Sequence, residues 1–110
     1  MARFIQIIEY SSTRFDEIQK LSDEFRAERQ AAGIDVHPIR VTTSVSRDDP
    51  NRYTTIAEFG SYGDAMQNSG LPETQKFAAS LMELCDGPAT FSNLNVIESY
   101  EPLTSPELPS

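Results

Sequence analysis

A chain of 110 residues with 38% apolar and 24% charged residues fits one globular domain with one modest core, which excludes a disordered chain and a second core. Its formal net charge of −8 comes from 17 acidic residues against nine scattered basic ones, so no basic stripe exists and neither nucleic acid nor an anionic membrane is expected as a partner. The single cysteine excludes an internal disulfide framework, and with no signal-like segment and no run of about 20 apolar residues a cytoplasmic location is expected.

Residues 3–10 are rich in β-branched and aromatic side chains and predict a strand. Ser11-Ser12-Thr13 offers helix caps, with Thr13 and Asp16 spaced as a capping box. Phe15, Ile18, Leu21 and Phe25 recur at helical spacing and predict an amphipathic helix over 14–32, stopped by Gly33. Residues 38–46 and 52–59 predict two strands joined by the turn Arg47-Asp48-Asp49-Pro50-Asn51. Ser61 with Asp64 caps a short helix ending near Ser69-Gly70. Pro72 suits the first position of another helix, with Glu73 near its positive end. Phe77, Leu81 and Leu84 recur along that helix, and Gly87-Pro88 ends it. Residues 90–99 predict the last strand, and the Pro-rich segment 101–110 reads as a tail. The order β-α-β-β-α-β over residues 1–100 is the ferredoxin-like α+β pattern, with helices on one face of a four-stranded antiparallel sheet.

With the hairpin centred on Asp49, Val45 stands opposite Tyr53, Val41 opposite Ala57, and Arg40 opposite Glu58. Ile39, Val41, Val45, Tyr53, Ala57 and Phe59 then share the face expected to meet the helices. Arg40, Thr42, Ser44, Thr54, Ile56 and Glu58 share the other, and a one-residue slip would exchange the two. The first strand is apolar on both sides, with Phe4, Ile8 and Tyr10 on one and Ile5 and Ile7 on the other, so both sides are expected to be covered. The sheet has a footprint of about 400 Å². Burying it is worth up to about 10 kcal/mol per subunit. Two subunits together exceed an association cost of ~4–15 kcal/mol, so a face-to-face homodimer is expected.

The stretches Arg47-Asp48-Asp49-Pro50, Glu58-Phe59-Gly60-Ser61-Tyr62, Ala65-Met66-Gln67-Asn68-Ser69, Leu71-Pro72-Glu73-Thr74-Gln75, Phe77-Ala78 and Leu84-Cys85-Asp86-Gly87-Pro88 resemble small dimeric α+β barrel proteins. These belong to the antibiotic biosynthesis monooxygenase superfamily, and the resemblance covers residues 3–100. It implies two subunits packed sheet on sheet, each with a cavity between sheet and helices or in the barrel. It also implies a small enzyme acting on a hydrophobic cyclic or aromatic metabolite, of the cofactor-independent monooxygenase kind. The chain departs from better-known members in having no tryptophan, so no catalytic set carries over. That departure favours the alternative, a non-catalytic small-ligand-binding homodimer.

Candidate site residues follow from side-chain chemistry. His37 is a general-base candidate at a pocket mouth, or a surface loop histidine. Arg40 could orient a carboxylate or enolate, and Glu58 could act as a base if burial raised its pKa; otherwise the two form a cross-strand ion pair. Asn68, at a link between helical pieces, could hydrogen-bond a ligand from a lid, although caps also explain that link. Tyr10, Tyr53, Tyr62 and Phe77 could line an aromatic site or simply pack. Asn93 and Asn95 share one side of the last strand. Cys85 reads as a small hydrophobe on an apolar helix stripe. One histidine excludes a multi-His metal site within a subunit, and no phosphate-cradling glycine loop is present. No metal and no cofactor are therefore expected.

Overall fold

The computed structural model describes residues 3–102. Its elements are β1 (Phe4–Ser11), α1 (Phe15–Ala32), β2 (Arg40–Val45), β3 (Arg52–Phe59), α2 (Tyr62–Ser69), α3 (Pro72–Leu84) and β4 (Thr90–Asn95). The strands form one antiparallel sheet in the order β2-β3-β1-β4. This is the expected ferredoxin-like α+β fold, with the short α2 preceding α3. The hairpin register is also the expected one, pairing Val45 with Tyr53, Val41 with Ala57 and Arg40 with Glu58. Most of the proposed tail, residues 103–110, lies outside the described residues. Among the described residues no helix is long and apolar enough to cross a membrane.

Local chemistry sets the ends of the elements. Gly33 closes α1 at φ 65°, and the N–H groups of Gly33 and Ile34 donate to the carbonyls of Gln30 and Arg29. The start of α1 differs from the expected Thr13–Asp16 box, since no side chain caps it at Arg14. Ser12 acts instead: its Oγ accepts from Arg14 N–H at 2.9 Å and donates to the Leu84 carbonyl at 2.6 Å. Ser61 caps α2 by accepting from Asp64 N–H at 3.1 Å, and Pro72 opens α3. β4 stops at Asn95, four residues short of expectation. Its partner β1 begins at Phe4, the register mate of Asn95, and beyond that, among the described residues, only Val96 N–H finds a carbonyl, that of Arg3 at 2.9 Å.

The helices cover one face of the sheet through two apolar clusters. The first joins Phe4 and Phe59 to Ala65 of α2. The second joins Tyr10 to Ile18 of α1 and Leu81 of α3, with Phe15, Tyr53, Phe77 and Cys85 packed around it. Stacking extends the second cluster: Tyr53 lies 4.3 Å from Phe15 and 5.7 Å from Tyr10, centroid to centroid. Cys85 stands just beyond the end of α3 rather than on its stripe, and burial pushes its thiol pKa up. Among the described residues no helix packs on the opposite face. There Ile5 and Ile7 are half-buried, and Ile56 and Leu94 are exposed.

Candidate ligand site on the helix face of the sheet

The register aligns side chains of the helix face in rows across the strands. Val41, Ala57, Gln6 and Asn93 form one row; Thr43, Thr55, Ile8 and Phe91 form the next. Both lie between the row of Phe4 and Phe59 and the row of Tyr10 and Tyr53, and so between the two apolar clusters. The middle of this face alternates polar with apolar side chains and carries no charge. Gln6 Nε2 donates to Asn93 Oδ1 at 3.3 Å. The hydroxyls of Tyr10, Thr55 and Thr43 are linked in series at 3.4 and 3.0 Å. Tyr10 is 2% exposed. Burial, opposed in part by the Thr55 hydrogen bond, raises the phenol pKa above 10.0, so it stays a neutral hydroxyl. Each hydroxyl can donate once and accept twice, so the series retains free capacity for a ligand oxygen.

Two further polar atoms belong to the helices. Asn68 sits on the inward face of α2 with Ser61 and Ala65, is 8% exposed, and has a buried Oδ1 without a hydrogen-bond partner. Arg29 on α1 reaches Thr74 Oγ1 on α3 through Nη2 at 3.2 Å and lies 4.8 Å over the Phe25 ring, while its Nε is buried and unpartnered. Burial lowers the pKa of its guanidinium. A buried polar atom left unpaired costs about 1–3 kcal/mol, so such positions call for an explanation.

The sequence candidates are divided by this geometry. Tyr53 and Asn68 lie on the helix side. Arg40 and Glu58 lie on the opposite face, directly paired in register, yet their expected ion pair does not form. Glu58 instead accepts from Arg3 Nη1 at 3.2 Å. Glu58 is on a central strand and has neighbours on both sides, and Arg3 reaches it from the position just before β1 while Arg40 stays exposed. His37 is exposed and donates from Nδ1 to its neighbour's carbonyl, Pro38 O, at 2.8 Å. Tyr62 is 57% exposed and meets Phe4 edge-on at 5.2 Å. Sequence reasoning missed Gln6, Thr43 and Thr55. Gln6 was detectable as the one polar residue on the inward side of an apolar strand. Two open hollows, of about 420 Å³ beside Ser12, Asn51 and Tyr53 and about 360 Å³ beside Leu21, Ser80 and Glu83, lie away from the polar rows. Among the described residues no group of three or more His, Cys, Asp or Glu could hold a metal ion.

No protein-family model and no curated protein matches the chain significantly. Solved structures do match it. A conserved protein from Methanosarcina mazei superposes with TM-score 0.71 at 14% identity, covering 86% of this chain and 92% of that one. A provisionally assigned antibiotic biosynthesis monooxygenase from Caulobacter crescentus gives TM-score 0.73 at 12% identity, with coverage of 88% and 92%. SnoaB, a cofactor-independent oxygenase from Streptomyces nogalater, gives TM-score 0.73 at 14% identity, with coverage of 88% and 95%. Identities this low speak to architecture alone. The chain has the fold of the antibiotic biosynthesis monooxygenase-like proteins.

Proposed function

We propose that the chain binds a hydrophobic cyclic or aromatic metabolite against the helix face of its sheet, as half of a homodimer, and oxygenates it without a cofactor. The observation that carries this reading is the uncharged hydrogen-bonding strip between two apolar clusters. It suits a flat apolar ligand with a few oxygens and offers nothing to a highly charged one. Tyr53 and Asn68 stay with the ligand site in this reading. Arg40 and Glu58 belong to the dimer face, and His37 to neither.

The chemistry is that of a phenol-activated ring methylene turned into a carbonyl. One atom of O₂ enters the product, the other leaves as water with the two ring hydrogens, and the substrate supplies all four electrons. The Tyr10–Thr55–Thr43 hydroxyls hold a substrate oxygen and stabilise the charge that develops on it. A second reading, ligand binding without turnover, is favoured by the missing tryptophan.

Oxygen uptake with a tricyclic polyphenol separates the readings. Uptake of one O₂ per product, reduced at least about tenfold in Thr55→Val, is expected from loss of one hydrogen-bonding group in the transition state. Binding without uptake selects the non-catalytic reading. Failure to bind any such compound removes the site.

A further inference from the structure

Ser61 at the start of α2, and Ala65 and Asn68 within it, share one inward face and are 8, 2 and 8% exposed. The polar group of Ser61 is accounted for, because its hydroxyl caps the helix. That of Asn68 is not. The backbone carbonyl of Asn68 ends the helix by accepting from Leu71 N–H at 3.2 Å, a task open to any residue, while the side-chain Oδ1 is buried without a partner. Resting on the ligand site proposed above, we infer that Asn68 sets its specificity: Oδ1 accepts a hydrogen bond from a ring hydroxyl of the ligand, and so selects a phenol over the corresponding methyl ether.

Placement, cost and chemistry converge on this role. Ala65 packs on Phe4 and Phe59, and Ala57 packs against the same cluster. Ala57 also belongs to the row Val41–Ala57–Gln6–Asn93 of the ligand strip. Asn68 follows Ala65 by three residues and stands one turn further along the same side of α2, at the border of the strip. A leucine would fill this position with no orphaned atom, and it is the better helix former. The chain thus keeps a residue that weakens its own fold, a departure characteristic of binding sites. Oδ1 is closed to solvent, so bulk water does not pair with it. The χ2 torsion of an asparagine is broad, so the carboxamide can turn its carbonyl toward an arriving ligand. An amide carbonyl only accepts, whereas a hydroxyl accepts or donates. The Tyr10–Thr55–Thr43 series therefore takes a phenol or an ether oxygen alike. The Gln6–Asn93 pair lies exposed, where water competes for its acceptors. Asn68 has no such competitor, so the choice between phenol and ether falls to it.

The test compares 1-naphthol with 1-methoxynaphthalene by fluorescence titration, in wild type and in Asn68→Leu, a replacement of similar size. Wild type is expected to bind the naphthol at least about tenfold more tightly, the discrimination supplied by one buried hydrogen bond. In Asn68→Leu the ratio is expected to fall to about one, and because the two side chains are alike in size this isolates the hydrogen bond from any exclusion of the methyl group. Ligand-free Asn68→Leu is expected to unfold at higher urea than ligand-free wild type, with unchanged circular dichroism, because the unpaired atom is gone. Equal affinities of wild type for the two compounds, a preference that persists in Asn68→Leu, or a lower urea midpoint of the free variant each overturn the role of Asn68 and leave the ligand site standing. A wild type that binds neither compound overturns the site as well.

Discussion

The two faces of the sheet are built from alternate residues of the same strands, and they differ in completeness. The helix face is finished at both ends, where Phe4, Phe59 and Tyr10 are 2–3% exposed, and in the middle it alternates polar with apolar side chains. The open face has the reverse plan. Its centre is apolar at Ile5, Ile7, Ile56 and Leu94, and the Arg3–Glu58 pair stands toward one end. A middle with uncharged polar groups between dry ends suits a small molecule, while an apolar middle suits a second protein surface. The location of the uncharged polar groups, more than the total amount of apolar surface, separates the two roles.

Substitutions on each face break or sharpen this contrast. Phe59→Ala should cost about 3–5 kcal/mol in urea unfolding, because it empties one of the two apolar clusters; a cost below about 1 kcal/mol would mean that the cluster does not hold α2 to the sheet. Tyr10→Phe should cost about 1 kcal/mol near neutral pH through the lost Thr55 hydrogen bond. It should also change the alkaline limb. The folded phenol has its pKa raised above 10.0, so its neutral form is fully stabilising below that pH. As pH rises through 10.0 the unfolded chain gives up the proton first and stability falls. Cys85, raised above 9.0, adds a decline of the same sign from lower pH. Unfolding midpoints from pH 8 to 11 should therefore drop more steeply in the wild type than in Tyr10→Phe. The smallest effect on folding belongs to Leu94→Arg on the open face. It should leave the stability of the dilute protomer within about 0.5 kcal/mol and abolish dimers in sedimentation, and a dimer that survives it would place the interface elsewhere.

The element order and the β2–β3 register were legible from sequence, because both rest on local signals. The Asp49-Pro50 turn fixes the hairpin, and alternation then assigns each side chain to a face. Gly33, Ser61 and Pro72 likewise act within a turn of where they sit. Three features were hidden for a common reason. Ser12 displaces Thr13 as the group holding the start of α1 because a carbonyl at Leu84, 72 positions away, binds its hydroxyl. Glu58 pairs with Arg3, 55 positions away, rather than with its hairpin neighbour. The Tyr10–Thr55–Thr43 series joins three strands, and a threonine in a strand reads as a β-former whatever its hydroxyl touches. The ligand strip is therefore a product of the sheet as a whole, and no segment announces it.

The Ser11–Ser12 pair has a consequence for motion. Ser11 O receives Asp86 N–H at 2.7 Å, Ser12 N–H reaches Asn51 O at 2.9 Å, and the Ser12 hydroxyl bridges Arg14 to Leu84. Two adjacent residues thus fasten the hairpin tip, the root of the long helix and the foot of the last one at a single knot. Opening any one of them loosens the other two, so the amides of Ser12, Arg14 and Asp86 should exchange with deuterium at one shared rate, as a latch that releases all three elements together.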